Sequence, residues 1–249
     1  MANSLTDILS RKDAVNWPEK IRFGEDGGLS AVKRNNAPRH GEPNPFFAGG
    51  MIRLFDVIIS FAALLFLLPA MVLIAVWVRL HDGGPAFYAQ KRIGRNGKMF
   101  SCFKFRSMRI NSERLLREHL RDNPLAREEW AREHKLKDDP RITAFGHFIR
   151  KTSLDELPQL WNVLRGDMSL VGPRPIVSDE VVKYGRSFRA YASVMPGITG
   201  LWQVTGRNDV CYNRRVAMDR LFARRRSVGL YLYILCATIP AVLLQKGSY

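Results

Sequence analysis

Leu54–Val78 reads LFDVIISFAALLFLLPAMVLIAVWV, a run whose one charge, Asp56, stands near its start. A bilayer with a hydrocarbon core about 30 Å thick asks for about 20 apolar helical residues, so this stretch is long enough to enter or cross a membrane. Pro69 divides it into two arms. A proline inside a helix removes a backbone hydrogen bond and bends the axis, and each arm alone reaches only about 15–20 Å. Arg34, Arg39 and Arg53 stand before the run, while Arg79, Lys91, Arg92, Arg95 and Lys98 follow it. Positive flanks prefer the cytoplasmic side, so both ends ask for the same face. A helix broken at Leu68-Pro69 that dips in and returns satisfies both flanks, whereas a straight or kinked span satisfies one. A buried helix of a soluble protein is the remaining alternative. The re-entrant form is favoured, with the carbonyls at the break needing partners such as the Ser60 hydroxyl or a neighbouring helix.

On the N-terminal side, residues 1–49 are polar, punctuated by Gly, Pro and Asn, and without sustained periodicity. They read as a flexible leader whose basic residues are either solvated or laid against anionic lipid. Its first residues carry charges throughout and no apolar core, which is unlike a signal peptide. The membrane segment itself is placed at 50–80, and residues 81–249 form the remaining body. Across the 249 residues, 39 Lys and Arg against 23 Asp and Glu leave a net charge of +16. That surplus calls for a polyanionic neighbour: nucleic acid, an anionic membrane surface or phosphorylated substrates. Nucleic acid is disfavoured because no motif of stacking aromatics accompanies the charge. Cys102, Cys211 and Cys236 lie far apart, which argues against a disulfide framework or a thiolate zinc site. The five histidines lack metal-binding spacing, so any metal would be oxygen-ligated, as Mg²⁺ is.

Within the body, Gly83–Met108 alternates short apolar runs around Gly-Arg-Asn-Gly and predicts a small β-hairpin or extended loop. Lys104 and Arg106 flank Phe105, so in an extended segment both cations project from one face. A phosphate clamp and a solvated basic strand fit that spacing equally. Residues 111–137 predict a charged helical pair, with Ser112 a candidate cap and a break at Asn123-Pro124. Asp138 and Asp139 fit a turn better than a metal site.

The densest chemistry lies in Thr152–Arg174, TSLDELPQLWNVLRGDMSLVGPR. Leu154, Leu157, Leu160 or Trp161, and Leu164 recur at helical steps, which places Asp155 and Glu156 at a helix start. Ser153 and Glu156 fit a capping box, and Pro158 fits a start near Leu157. The helix dipole together with Arg150, Lys151, Arg165 and Arg174 would hold Asp155 ionised. A positioned carboxylate among cations is equipped to attack phosphorus, since the cations offset phosphate charge that would repel it. An ordinary surface helix with a capping box reads the same way. Downstream, the Gly-rich loop Ser193–Arg207 carries Trp202, Gln203 and Arg207 and could hold a nucleotide, a weak signal alone. Val228–Leu244 is apolar but short for a span, which suits a helix in the interface or packed on the body, with Tyr231 and Tyr233 at interfacial depth.

QKRIGRNGKMFSCFKFRSM, DDPRITAFGHFIRKTSLDELPQLWNVLRGDMSLVGPRP and PGITGLWQVTGR, in that order, resemble the bacterial sugar transferases, monotopic polyprenyl-phosphate phosphoglycosyl transferases. The likeness runs from about Met51 to Tyr249 and is nearest to exopolysaccharide-initiating members. It implies transfer of galactose or glucose 1-phosphate from UDP-hexose to undecaprenyl phosphate, with release of UMP and with Mg²⁺. It implies Asp155 as nucleophile and metal contact, forming a covalent phospho-sugar intermediate, and Glu156 as its partner in proton transfer or positioning. Arg150 and Arg174 resemble the family's phosphate-binding arginines, Lys104 its clamp lysine, and Asp219 a late acidic residue placed with the nucleotide site. Two positions depart from the pattern: Leu68 stands where many members have Ser before the proline, and Tyr231 where many have Asp four residues after Ser227. The fold expected is α+β and mostly helical: a monotopic membrane protein with a re-entrant helix broken at Pro69, a small β-hairpin and interfacial amphipathic helices. Its catalytic domain would face the cytoplasm at a bacterial inner membrane. Nucleic acid is not expected as a partner, and a homodimer is left open. A basic, membrane-tethered polyanion-binding protein without catalysis is the alternative from another class, and transfer of hexose without its phosphate is a third reading.

Overall fold

The computed structural model describes residues 45–133, 136, 138–206 and 210–243; the leader up to residue 44 and Arg207 lie outside the described residues. Helix α1, Pro45–Asp82, begins inside the stretch read as leader and is long and apolar enough to cross a membrane. Its middle exposes Phe61, Leu65, Phe66, Leu68, Val72 and Leu73. A helix that is apolar and uncovered on this scale requires an apolar solvent, so the chain is membrane-associated. Pro69 lies inside α1, and the helical assignment continues through it. The Ser60 hydroxyl is buried and has no hydrogen-bond partner among the described residues, so it does not serve the carbonyls near the proline.

Both ends of α1 dock on the body. Ile52 packs with Leu160, Val163, Phe222, Tyr231 and Ile234, while Ile74 and Val78 pack with Phe105 and Ile149. Two polar residues fix the first end. Asp56 is buried and its Oδ1 accepts from Ser169 Oγ at 3.0 Å, Leu170 N at 2.8 Å and Tyr231 OH at 2.8 Å. Arg53 donates to the carbonyls of Val163 and Leu164 at 2.6 and 2.8 Å. Those carbonyls belong to the last turn of α5, Gln159–Arg165, where a cation complements the helix dipole. Arg53 therefore caps a helix of the body.

The hairpin forms as expected, with β1, Phe87–Ile93, antiparallel to β2, Met99–Phe105. Its turn needs the left-handed region at Asn96 (φ 59°) and Gly97 (φ 75°), which asparagine and glycine tolerate. The outer edge of β2 is covered by one buried amide: Asn162 Oδ1 accepts from Phe103 N at 3.0 Å and Nδ2 donates to Ser101 O at 2.8 Å. Helix α2, Ser112–Asp122, and α3, Pro124–Glu133, break at Asn123. Ser112 is the first helical residue, not the cap, and Asn111 makes no capping bond with its side chain. Asp139 organises the turn by accepting from the backbone and guanidinium of Arg141. Helix α4, Ala144–Lys151, follows, capped by Thr143, whose hydroxyl accepts from Gly146 N at 2.9 Å.

After α5, strand β3, Ser169–Val171, pairs in parallel with β4, Gly197–Thr199. This pairing accounts for the glycines in the two motifs: a Cβ on Gly197 would sit 2.0 Å from Gly172 N, and one on Gly172 would sit 2.4 Å from Met195 O. Helices α6, Val181–Tyr184, and α7, Phe188–Ala192, enclose a second core of Ile93, Ile176, Tyr184, Phe188, Tyr191 and Val216, whereas α8, Leu201–Thr205, packs on the first core through Leu201 and Val204; α9, Tyr212–Arg225, gives Val216 and Tyr212 to the second core and Phe222 to the first. The C-terminal helix α10, Val228–Leu243, packs on the body rather than spanning. Tyr231 is fully buried beside Asp56, not at interfacial depth, whereas Tyr233 is exposed. Tyr231 thus gives the last helix a fixed orientation.

Candidate active site

Asp155 and Glu156 lie in a 3₁₀ turn, Leu154–Glu156, between α4 and α5. The capping box does not form. Ser153 adopts a left-handed conformation (φ 59°) without a side-chain cap, and regular helix begins only after Pro158. Glu156 turns instead toward charge from two distant segments. Its Oε1 is 2.6 Å from Lys104 Nζ on β2 and 3.5 Å from Arg174 after β3. The same ammonium stands 3.6 Å from Asp155 Oδ2. The amide that a capping box would engage, Ser153 N, already donates to Arg150 O at 3.1 Å, and the carboxylate pairs instead with the two cations.

The two carboxylates diverge in proton affinity. For Glu156, burial favours the neutral acid, but Lys104 and Arg174 overcome it and bring the pKa down to about 2. For Asp155, 7% exposed, burial dominates and pushes the pKa up, with Lys104 opposing and the Glu156 charge reinforcing it. Its surroundings therefore raise the basicity of Asp155. Among the described residues no hydrogen bond reaches Asp155. A buried carboxylate with its oxygens unoccupied, beside a cation that can neutralise an incoming phosphate, is suited to nucleophilic attack.

A cleft beside the pair is lined by Arg92, Cys102, Lys104, Glu156, Gln159, Arg174, Pro175, Gly197 and Ile198. The structure thus brings Lys104, Asp155, Glu156 and Arg174 together. Arg150, exposed at the end of α4, acts on Asp155 through its charge. Arg106 does not join Lys104: β2 ends at Phe105, and the Arg106 guanidinium is tied to Asp82 and to the Val78 carbonyl at the end of α1. Gln203 donates to Ile198 O at 3.1 Å and so supports the cleft wall. Asp219 lines no part of the cleft. It is buried in the second core, where Tyr184 OH donates to it at 2.7 Å and burial lifts its pKa to about 7.

Arg92, Cys102 and Gln159 escaped the sequence reading. A signal for Arg92 existed: a turn centred on Asn96 pairs Arg92 with Phe100, Gln90 with Cys102 and Tyr88 with Lys104, and directly opposed residues share a face. Among the described residues no group of three acidic, His or Cys side chains is placed to hold a metal ion. Mg²⁺ is commonly held by one or two carboxylates plus substrate phosphates. The Asp155 carboxylate, which accepts no hydrogen bond among the described residues, fits that shared arrangement, and no group of described side chains forms an all-protein cage.

Residues 48–245 match the family model described as bacterial sugar transferase, and the chain belongs to that family. It is 52% identical over 198 residues to the undecaprenyl-phosphate galactose phosphotransferase of Salmonella typhimurium, covering 79% of this chain and 41% of that protein. It is 51% identical over 197 residues to the UDP-galactose-lipid carrier transferase of Erwinia amylovora, again 79% of this chain and 41% of the relative. The exopolysaccharide production protein ExoY of Sinorhizobium fredii is 50% identical over 197 residues, 79% of this chain and 87% of that protein. The chain thus spans about two fifths of two of these relatives and most of the third.

Proposed function

We propose that this protein transfers hexose 1-phosphate, galactose or glucose, from UDP-hexose to undecaprenyl phosphate, releasing UMP, as the first step of exopolysaccharide repeat-unit assembly. The observation that carries this reading is Asp155: buried, unbonded, and 3.6 Å from an ammonium that also holds Glu156. In the first step an Asp155 oxygen attacks the sugar-bearing phosphorus of UDP-hexose. The bond to the bridging oxygen breaks and UMP departs with the electron pair. In the second step an oxygen of undecaprenyl phosphate attacks the same phosphorus, the bond to Asp155 breaks, and the carboxylate is restored. Asp155 would hold Mg²⁺ jointly with the donor diphosphate, and bound there the ion supplies charge neutralisation. Glu156, whose pKa Lys104 and Arg174 hold below the usual carboxylate range, positions those two cations.

The membrane helix enters as a re-entrant hairpin at the cytoplasmic face of the inner membrane. Support for this comes from its two ends, which both pack on the body while the segment between them is exposed, and from the positive flanks. The anchor holds the acid pair where a lipid phosphate can reach it. The test is incubation with a panel of UDP-sugars, undecaprenyl phosphate and Mg²⁺. UMP and a lipid diphosphate sugar are expected from one hexose, and loss of UMP release in Asp155→Asn even without lipid. Release of UDP would instead mean transfer of hexose without phosphate.

A further inference from the structure

Arg92 is held where a basic side chain is costly in the free protein. Its side chain is 17% exposed, and it lines the same cleft as Arg174 and Lys104. Burial and the nearby Arg174 charge both lower its pKa. Two anchors fix it there: Nη1 donates to Pro175 O at 2.9 Å and Nη2 to Gln90 Oε1 at 2.6 Å, while Glu180 stands off at 3.8 Å. Each anchor takes one N–H of a terminal nitrogen, leaving donors of the fork for another partner. The cleft wall carries three cations, Arg92, Lys104 and Arg174, together with the carboxylate of Glu156. With Glu180 3.8 Å from Arg92 and Asp155 3.6 Å from Lys104, the three cations face three carboxylates, and what the wall offers a phosphate monoester is the spare guanidinium donors rather than a charge surplus.

The proposed two-step transfer, on which this inference rests, contains two phosphate monoesters: the UMP that leaves and the lipid phosphate that enters. Displacement at phosphorus is in line, so the group attacking in the second step must come from the side vacated in the first. Both monoesters then occupy one position opposite Asp155. We propose that Arg92, with Arg174 and Lys104, forms that single cradle and contacts the leaving nucleotide phosphate and the entering lipid phosphate in turn. A phosphate between the two guanidiniums can accept charge-assisted bonds from both.

The probe is UMP itself, titrated calorimetrically into detergent-solubilised full-length protein without donor, so the result does not depend on turnover. Arg92→Gln is expected to weaken UMP binding about tenfold or more, as loss of a charge-assisted bond implies. Steady-state kinetics with the cognate donor should show KM raised for UDP-sugar and lipid phosphate alike. Arg92→Lys, which keeps the charge and loses the fork, should fall between and carries the test if the Gln variant does not fold. UMP binding at wild-type affinity in a folded variant, or a fall in kcat with both KM values unchanged, would overturn the cradle and leave Arg92 a structural tie to Pro175. If the wild type binds UMP but yields none from any UDP-sugar, the transfer reading fails and the monoester site stands.

Discussion

Asp56 joins the membrane helix to the body, and its removal should be costly in a way the contacts allow to be worked out. Three donors converge on one oxygen: Ser169 Oγ, Leu170 N and Tyr231 OH. In Asp56→Ala the serine hydroxyl can rotate to another acceptor, but Leu170 N and the Tyr231 phenol sit in a site without water access. An orphaned buried donor costs about 1–3 kcal/mol, so the variant should lose about 2–6 kcal/mol. For a body of this size that lowers the melting midpoint on the order of 10 °C. Tyr231→Phe removes one donor cleanly and should cost about 1 kcal/mol. Adding it to Asp56→Ala should then recover stability, because the phenol is no longer stranded. The assay is a double-mutant cycle by thermal unfolding in detergent, read from near-ultraviolet circular dichroism. An Asp56→Ala protein melting with the wild type, or strictly additive effects of the two changes, would refute the reasoning.

Arg53→Met should expose the last carbonyls of α5, at a cost of about 1–3 kcal/mol, and slow sugar-phosphate transfer, measured as UMP release, because α5 follows directly on the acid pair. Asp219 should impose a pH dependence. Its folded pKa of about 7 lies above the model-peptide value of 3.8, so the folded state binds more protons between them. The stabilisation is full below about pH 3.8 and lost as pH rises through about 7, a change on the order of a few kcal/mol. Asp219→Asn keeps an acceptor for Tyr184 and should flatten that slope in denaturant titrations from pH 4 to 8.

Local signals carried part of the fold. The hairpin, the helix pair broken at Asn123 and the packed C-terminal helix follow from turn residues and apolar runs, where the nearest neighbours in sequence decide. Pairings across long separations were hidden. Glu156 abandons the capping position for Lys104, 52 residues away, and Arg106 abandons the clamp for Asp82. Three-residue strands such as β3 and β4 have no period to detect, so their parallel pairing leaves only the motif glycines as a trace. Asp219 was placed at the site only through the family resemblance, and its partner in the fold is a buried tyrosine. Asp155 and Glu156 were legible as a pair; their opposite proton affinities depended on the burial of Asp155 and on the cations that the fold brings to Glu156.

The central claim is the covalent role of Asp155, and intact-protein mass measured after rapid quenching with the cognate UDP-hexose and no lipid acceptor tests it most directly. The account predicts a mass increase of one hexose phosphate, mapped to Asp155 by peptide fragmentation and discharged on adding undecaprenyl phosphate. Unmodified protein through full turnover, or an adduct on another residue, would contradict it.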